Sequence, residues 1–298
     1  MKEEIVLPAD EAPKKLENFL KKRFPIGYVR KLFRKNGVRL NGQRTKPDAF
    51  VGPGDRLEIY IPFDKRIERT TGGECELEKI YEDAKLLVLN KPAGLAVHEG
   101  REILKRDTVL GILESRYRTQ GVALRLVHRL DKETSGLLMV AKDADTAKEL
   151  ESRFEETTVD KEYVCLVAGR IPQRVGTIDF PLPGREGKAV RALTRYQVIK
   201  KFSETTFLRV QIATGRMHQI RLHLAKLGYP VVMDAQHGDF AFNKSFRKVY
   251  GLKRQFLHAA KIVVEYGGKK RTWSAPLPKD LKRILAALKA APGKGQRI

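Results

Sequence analysis

The 298-residue chain holds only two cysteines, Cys75 and Cys165, ninety positions apart. Such spacing supplies neither a disulfide framework nor a zinc site, so both read as reduced thiols. No run approaches the about 18 apolar residues that a membrane-spanning helix requires. The opening stretch MKEEIVLPADEAPKK mixes acids with bases and lacks an apolar signal core. A cytoplasmic protein with no membrane partner is therefore expected. No Gly-rich nucleotide loop is present, which argues against a nucleotide cofactor. Acids are scarce relative to bases. Lys and Arg number 59 against 36 Asp and Glu, a formal net charge of +23. A field of that sign and size favours polyanions, nucleic acid before an anionic membrane. With 42% hydrophobic and 32% charged residues the chain is globular, and it is long enough for one large core plus a small appended domain.

The positive charge is uneven. Between Lys14 and Lys46 there are twelve Lys or Arg and one acid, Glu17. Leu16, Phe19 and Leu20 have helical spacing, as do Tyr28, Val29, Leu32 and Phe33, and Asn36-Gly37 is a helix stop. Val38 and Leu40 lead into the tight-turn signal Asn41-Gly42, and Leu57, Ile59 and Ile61 alternate as a strand. Two short basic helices before a small sheet resemble the S-four-like (alpha-L) RNA-binding module. The resemblance implies RNA contacts from Lys21, Lys22, Arg30, Lys31, Arg34 and Lys35. A basic helical hairpin that serves only solubility is the alternative. DKRIERTTGGECE, Asp64 to Glu76, carries charges and a Gly pair without apolar period. The expected organisation is an RNA-binding domain at 1–62, a linker at 63–77 and a large domain at 78–298.

In the large domain, strands are expected at Leu86–Leu89, Leu137–Val140, Tyr163–Val167, Leu208–Ile212 and Ile262–Val264. Helices are expected at Thr108–Tyr117, Asp143–Phe154, Met217–Leu227 and Leu281–Ala290. Leu281, Ile284, Leu285 and Leu288 make one apolar stripe in the last. The pattern is α+β: a mixed, mostly antiparallel sheet with flanking helices, preceded by a small α/β module.

Four stretches place polar residues where packing does not require them: NKPAGLAVHEG (90–100), VHRLDKETSGLLMVAK (127–142), KEYVCLVAG (161–169) and ATGRMHQIRLHLAKLGYP (213–230). Singly, each has a plain reading. Asp131 could accept a hydrogen bond from Thr134 or Ser135 in a turn, Tyr163 could be an ordinary strand aromatic, and Arg216 could bind solvent or a carbonyl. His218 and His223 sit five apart on a helix, off a common face, with no matching acids, so no metal is expected.

Together, in this order, the stretches resemble the RluA/RluC/RluD-type RNA pseudouridine synthases over about residues 78–275. HRLDKETSGLL resembles the nucleophile loop, KEY the tyrosine motif, TGRMHQIRLH the arginine motif and KPAGLAVH the strand-end segment before the nucleophile. DAQHGDFAFN and RQFLHAA resemble the RluC subgroup. Met217 replaces a small polar residue, and Met233 and His237 stand where many members have Gly and Tyr.

The resemblance implies catalysis by Asp131, Tyr163 and Arg216 without a cofactor. Asp131 would be the nucleophile toward sugar or base, or would take a proton from the sugar. Arg216 is the expected cation beside it, since a fixed cation favours a carboxylate's charged form; Arg221 is the second choice. Tyr163 would stack under the flipped uracil. His128, Arg129 and Arg221 would contact RNA. The implied partner is structured RNA, large-subunit ribosomal RNA or its precursor, with the protein acting as a monomer. Transfer RNA, a non-catalytic RNA-binding or ribosome-assembly role, and glycoside hydrolysis are the rivals. The last usually needs two carboxylates flanking the bond, and only Asp131 stands in a convincing motif.

Overall fold

The computed structural model describes residues 2–8, 12–21, 23–24, 29, 32–34, 36–60, 76–100, 103–156, 158–184 and 188–290. The chain divides into two compact units, residues 1–75 with 98–112, and residues 76–97 with 113–298.

In the first unit, β1 (Lys2–Val6), β3 (Val38–Leu40), β4 (Gln43–Arg44) and β6 (Arg56–Tyr60) form an antiparallel sheet in the order β1-β6-β3-β4. A second pair joins β2 (Lys14–Lys15) to β5 (Phe50–Val51). Asn41 and Gly42 adopt φ of 49° and 81°, the left-handed pair that a two-residue hairpin turn demands, and so join β3 to β4. Helix α1 (Leu16–Lys21) buries Leu16, Phe19 and Leu20 against Val29, Leu32, Val38, Leu57 and Ile59. The expected apolar face is therefore the core face. Asn36 at φ 52° turns the chain, and Gly37 donates back to the Leu32 carbonyl. The rest of the expected second helix, Ile61 and nearly all of the expected linker lie outside the described residues. Strand β1 was not foreseen.

The second unit is built on one ten-stranded sheet. Its strands are β7 (Glu78–Glu82), β8 (Leu86–Lys91), β9 (Arg125–Leu126), β10 (Ser135–Ala141), β11 (Asp160–Ala168), β12 (Val175–Ile178), β15 (Thr194–Lys201), β16 (Thr205–Ile212), β17 (Leu257–Tyr266) and β18 (Lys269–Ser274). The main path runs β12-β15-β16-β11-β17-β10-β8-β7, with β9 beside β10 and β18 beside β17. A separate hairpin joins β13 (Leu182–Pro183) to β14 (Ala189–Val190). Every strand pair is antiparallel except β10 with β17, which makes the sheet mixed as expected.

After α1 come α2 (Val109–Arg116), α3 (Ala144–Glu155), α4 (Gln219–Lys226), α5 (Phe240–Tyr250) and α6 (Lys279–Ala290), with 3-10 turns at Lys105–Asp107 and Arg118–Gln120. Asp143 caps α3 by accepting from the Thr146 amide, and Asp239 caps α5 through the Phe242 amide. All seven residues of β10 are buried. One apolar cluster joins Val88, Leu137 and Met139 to Ala147 and Leu150 of α3 and to Trp273. Another joins Leu166 and Phe256 to Phe246 of α5 and to Leu281, Ile284 and Leu288 of α6. Neither α5 nor strands β7, β12, β15 and β18 were foreseen, since exposed polar positions dilute their apolar pattern.

Candidate active site

The single parallel contact prepares the site. Ser135 pairs with His258, and Gly136 with Ala259. Gly136 sits at φ 114°, and a Cβ there would lie 2.1 Å from the Ala259 carbonyl oxygen, so no larger residue fits. Ser135 and Gly136 begin strand β10. On the other side of β17, Tyr163 also takes Ala259 as its register partner, across an irregularity after Glu162. The shared partner draws Tyr163 toward the loop that ends at Ser135. Residues alternate across a strand, so Lys161, Tyr163 and Cys165 share one buried face of β11.

The loop from His128 to Thr134 is clamped at both ends. Lys91, fully buried at the end of β8, donates through Nζ to the carbonyls of Pro92, Leu95 and Lys132 at 2.7, 2.7 and 3.0 Å. Gly94 N–H donates to the same Lys132 carbonyl. At the far end, Gln255 donates to Thr134 Oγ1 at 2.6 Å, and Ser135 Oγ bonds His258 Nδ1 at 2.9 Å. Arg254, forked onto Asp280, also reaches Ser135 Oγ at 3.2 Å. The Thr134 amide closes a turn onto the backbone carbonyl of Asp131. The hydroxyls of Thr134 and Ser135 are thus engaged elsewhere, and the Asp131 carboxylate serves no cap.

That carboxylate meets Arg221. Arg221 Nη1 donates to Asp131 Oδ2 at 2.8 Å, while Nε and Nη2 fork onto Asp234 at 2.7 and 2.8 Å. Nη2 also reaches Gln236 Oε1 at 3.0 Å. The Arg221 side chain is 6% exposed and that of Asp131 is 22% exposed. The cation is shielded behind a carboxylate that a substrate can still reach. Burial opposes the charge on Arg221, but its bonds to Asp234 and Asp131 outweigh that and raise its pKa. Burial likewise opposes ionisation of Asp234. The guanidinium and the amides of Gln236 and His237 prevail and hold its pKa below the ordinary value.

The expected pairing of Asp131 with Arg216 is therefore corrected. Arg216 lies before α4 in an exposed turn, where its Nε reaches only the Arg191 carbonyl at 3.5 Å. The helix starts later than expected: His218 is its N-cap at φ 54°, and Gln219 opens the first turn. That phase turns Gln219, Arg221 and His223 inward. Gln219 fastens the preceding turn, accepting from Thr214 Oγ1 and the Arg216 amide and donating to the Leu193 carbonyl and Thr194 Oγ1. His223 bonds Thr194 Oγ1 and the Phe180 carbonyl, and burial lowers its pKa. The donors of Arg221, also expected to contact RNA, face Asp131, Asp234 and Gln236.

Tyr163 is buried, and burial followed by the charge of Asp131 raises its phenol pKa, so it stays protonated. His128 does not face outward. Its Nε2 accepts from the Met139 amide at 3.1 Å, and its ring stacks on Phe154 at 4.8 Å. Burial, then the nearby Lys161 charge, drops its pKa to about 3, so the ring is neutral and packs against Phe154. Arg129 is exposed. Among the basic residues of the first unit, Arg34 is exposed and Lys21 pairs with Glu17 at 2.9 Å, whereas Lys22, Arg30, Lys31 and Lys35 lie outside the described residues. Among the described residues, no group of three His, Cys, Asp or Glu is arranged to hold a metal ion, and no helix is long and apolar enough to cross a membrane.

An accessible aspartate backed by a buried arginine, beside a protonated tyrosine, on a mixed sheet with flanking helices, defines a carboxylate-centred site. Residues 85–226 match the RNA pseudouridylate synthase family. The chain is 34% identical over 316 residues to a ribosomal large subunit pseudouridine synthase C of Salmonella typhi, covering 96% of each. It is 33% identical over 317 residues to the protein of that name from Escherichia coli (strain K12), covering 96% of this chain and 97% of that one. A solved structure, human RNA pseudouridylate synthase domain containing 4, superposes with a TM-score of 0.61 at 25% identity, over 71% of this chain and 93% of that one. This chain belongs to the RNA pseudouridylate synthase family. It is an isomerase that converts uridine in RNA to pseudouridine.

Asp234, His218, Gln219, Lys91 and Arg254 were missed from sequence. The signals were slight: an acid inside VVMDAQHGD, a lysine ending the apolar stretch LLVLNK and an arginine opening RQFLHAA.

Proposed function

We propose that the protein isomerises uridines in large-subunit ribosomal RNA, with Asp131 as the reacting carboxylate, Arg221 as the cation that orients it and Tyr163 as the platform for the base. One observation carries this reading. Arg221 Nη1 holds Asp131 Oδ2 at 2.8 Å while Asp131 keeps an open edge. The substrate named for the curated relatives supports the choice of RNA, as does the net charge of +23.

The target uridine must leave its stack, because a side chain cannot reach its reacting atoms within a duplex. The bond from ribose C1′ to N1 breaks, the base turns, and a bond forms from C1′ to C5. The proton on C5 departs to solvent, and N1 ends protonated. Asp131 supplies the negative charge for this exchange at sugar or base. Tyr163, kept neutral, offers an apolar face for the uracil and a hydroxyl near the departing proton. Arg216 and Arg129, both exposed, contact RNA phosphates. Residues 1–62 form a separate RNA-binding domain joined through 63–77 to a catalytic domain at 78–298. The protein acts as a monomer in the cytoplasm.

The test is tritium release from unmodified large-subunit ribosomal RNA carrying tritium on uracil C5. Wild-type protein releases tritium, and Asp131→Asn binds the RNA but releases none above background. Equal release by both would remove Asp131 from the chemistry. Release only from transfer RNA would reassign the substrate. Binding without release by wild-type protein would favour a non-catalytic role, and free uracil would favour hydrolysis.

A further inference from the structure

His218 does more than open helix α4. Its backbone takes the left-handed conformation, uncommon for a residue with a side chain. That conformation sets the imidazole between two partners. Nδ1 lies 3.1 Å from His237 Nε2, and the two rings meet edge to face with centroids 5.3 Å apart. Nε2 lies 3.7 Å from Asp131 Oδ1, the oxygen that Arg221 leaves unbound.

The two histidines must share one proton across their short contact. When His237 Nε2 donates, a neutral His218 carries its own proton on Nε2, directed at Asp131. In the reverse arrangement His218 would turn a lone pair toward a carboxylate, which the Asp131 charge disfavours. A separation of 3.7 Å is an electrostatic contact rather than a hydrogen bond in the free protein. Active-site contacts of this kind shorten once substrate is bound.

We propose that His218 is a positioning residue for Asp131: its neutral Nε2–H, set in that tautomer by His237, steadies carboxylate oxygen Oδ1, and protonated His218 withholds that oxygen from the substrate. This rests on the assignment of Asp131 as the reacting carboxylate. The charged or titratable groups facing His218 are Asp131 from its loop, Arg221 from α4, and Asp234 and His237 from the segment after Val232. Burial lowers the pKa of His218, Asp131 opposes that, and Arg221 and His237 reinforce it. His218 is thus neutral at pH 7 and gains charge as pH falls, so the reaction slows toward acid.

The direct test is nitrogen-15 NMR of the histidines in the full-length chain. His218 is expected in the Nε2–H tautomer at pH 7.5, and Asp131→Asn should lower its titration midpoint by about half a unit or more, the range an adjacent charge produces. An Nδ1–H tautomer, or a midpoint unmoved by Asp131→Asn, overturns the proposal. Single-turnover tritium release from pH 5 to 8.5 supplies the second readout. His218→Gln, which cannot titrate, should lose the acid limb of the wild-type profile. His237→Phe should lower kcat about 5-fold with KM unaltered, and His237→Gln, which restores a donor, should recover most of that loss. An acid limb retained in His218→Gln, or equal loss in both His237 variants, counts against it. Because NMR reads no turnover, a wrong role for Asp131 in the chemistry would show in tritium release while the histidine coupling stood.

Discussion

Arg216 and Arg221 lie five residues apart, yet they inhabit opposite environments. The turn carrying Arg216 is exposed, and among the described residues its guanidinium has no carboxylate within ion-pair distance. The face carrying Arg221 is buried, and its guanidinium is divided between two carboxylates. An arginine left in water can meet an incoming phosphate, because its guanidinium stays exposed and only its Nε is engaged among the described residues. An arginine buried against Asp234 has its orientation fixed before substrate arrives, and its remaining edge can hold a reactive carboxylate still.

The largest expected effect comes from destroying the buried side of this contrast. Arg221→Ala should lower single-turnover kcat by about 1000-fold, as loss of a preorganised charge in a site does. It should also destabilise the protein by about 3 kcal/mol, because Asp234 is left buried without its cation. Thermal unfolding alongside tritium release separates the two effects. Arg221→Lys should restore much of the stability and little of the rate, since an ammonium cannot fork onto Asp234 while reaching Asp131. Asp234→Asn, which frees the guanidinium to turn, should cost about 10- to 100-fold in kcat with RNA affinity retained, the size seen when a supporting carboxylate is removed from a site.

The exposed side should respond in affinity rather than rate. Arg216→Ala should weaken RNA binding by less than about 10-fold and reduce the dependence of log affinity on log salt by about one charge, with kcat nearly retained. Filter binding from 50 to 300 mM salt checks this.

A control at a distance sharpens the contrast. Glu82 accepts from Lys142, Lys79 and Tyr117, and these bonds hold its pKa at about 2 against an ordinary 4.5. Its contribution to stability is therefore full above pH 4.5 and disappears as pH falls through about 2. Glu82→Gln should cost about 1 to 2 kcal/mol at pH 7, become neutral in acid and leave the rate per folded molecule unaltered. Denaturant titrations at pH 7 and at pH 2 or below read the difference.

Much of this was legible in the chain. Leu86–Leu89 and Leu137–Val140 announced central strands because both faces are buried and their apolar runs are continuous. Leu208–Ile212 announced a strand by alternation, with Leu208, Val210 and Ile212 buried and Arg209 and Gln211 exposed. The motifs around Asp131 and Tyr163 come within electrostatic reach of each other, since after burial the charge of Asp131 also raises the Tyr163 pKa. The choice between the two arginines was not legible, because it depends on helix phase. A left-handed His218 moves the start of α4 to Gln219, and no local propensity requires that conformation of histidine. The deciding carboxylate, Asp234, follows thirteen residues later in an irregular segment where no period marks a side chain as buried. His128 misled for a similar reason. Beside Arg129 it resembles a phosphate contact, but Phe154 and the Met139 amide that enclose it come from other elements.

Arg221, not Arg216, holds the carboxylate of Asp131. Single-turnover tritium release by Arg221→Ala and Arg216→Ala side by side, with RNA in saturating excess and folding verified, tests what that contact does. The expected loss is about 1000-fold for Arg221→Ala and less than about 3-fold for Arg216→Ala. A larger loss for Arg216→Ala than for Arg221→Ala would contradict that expectation.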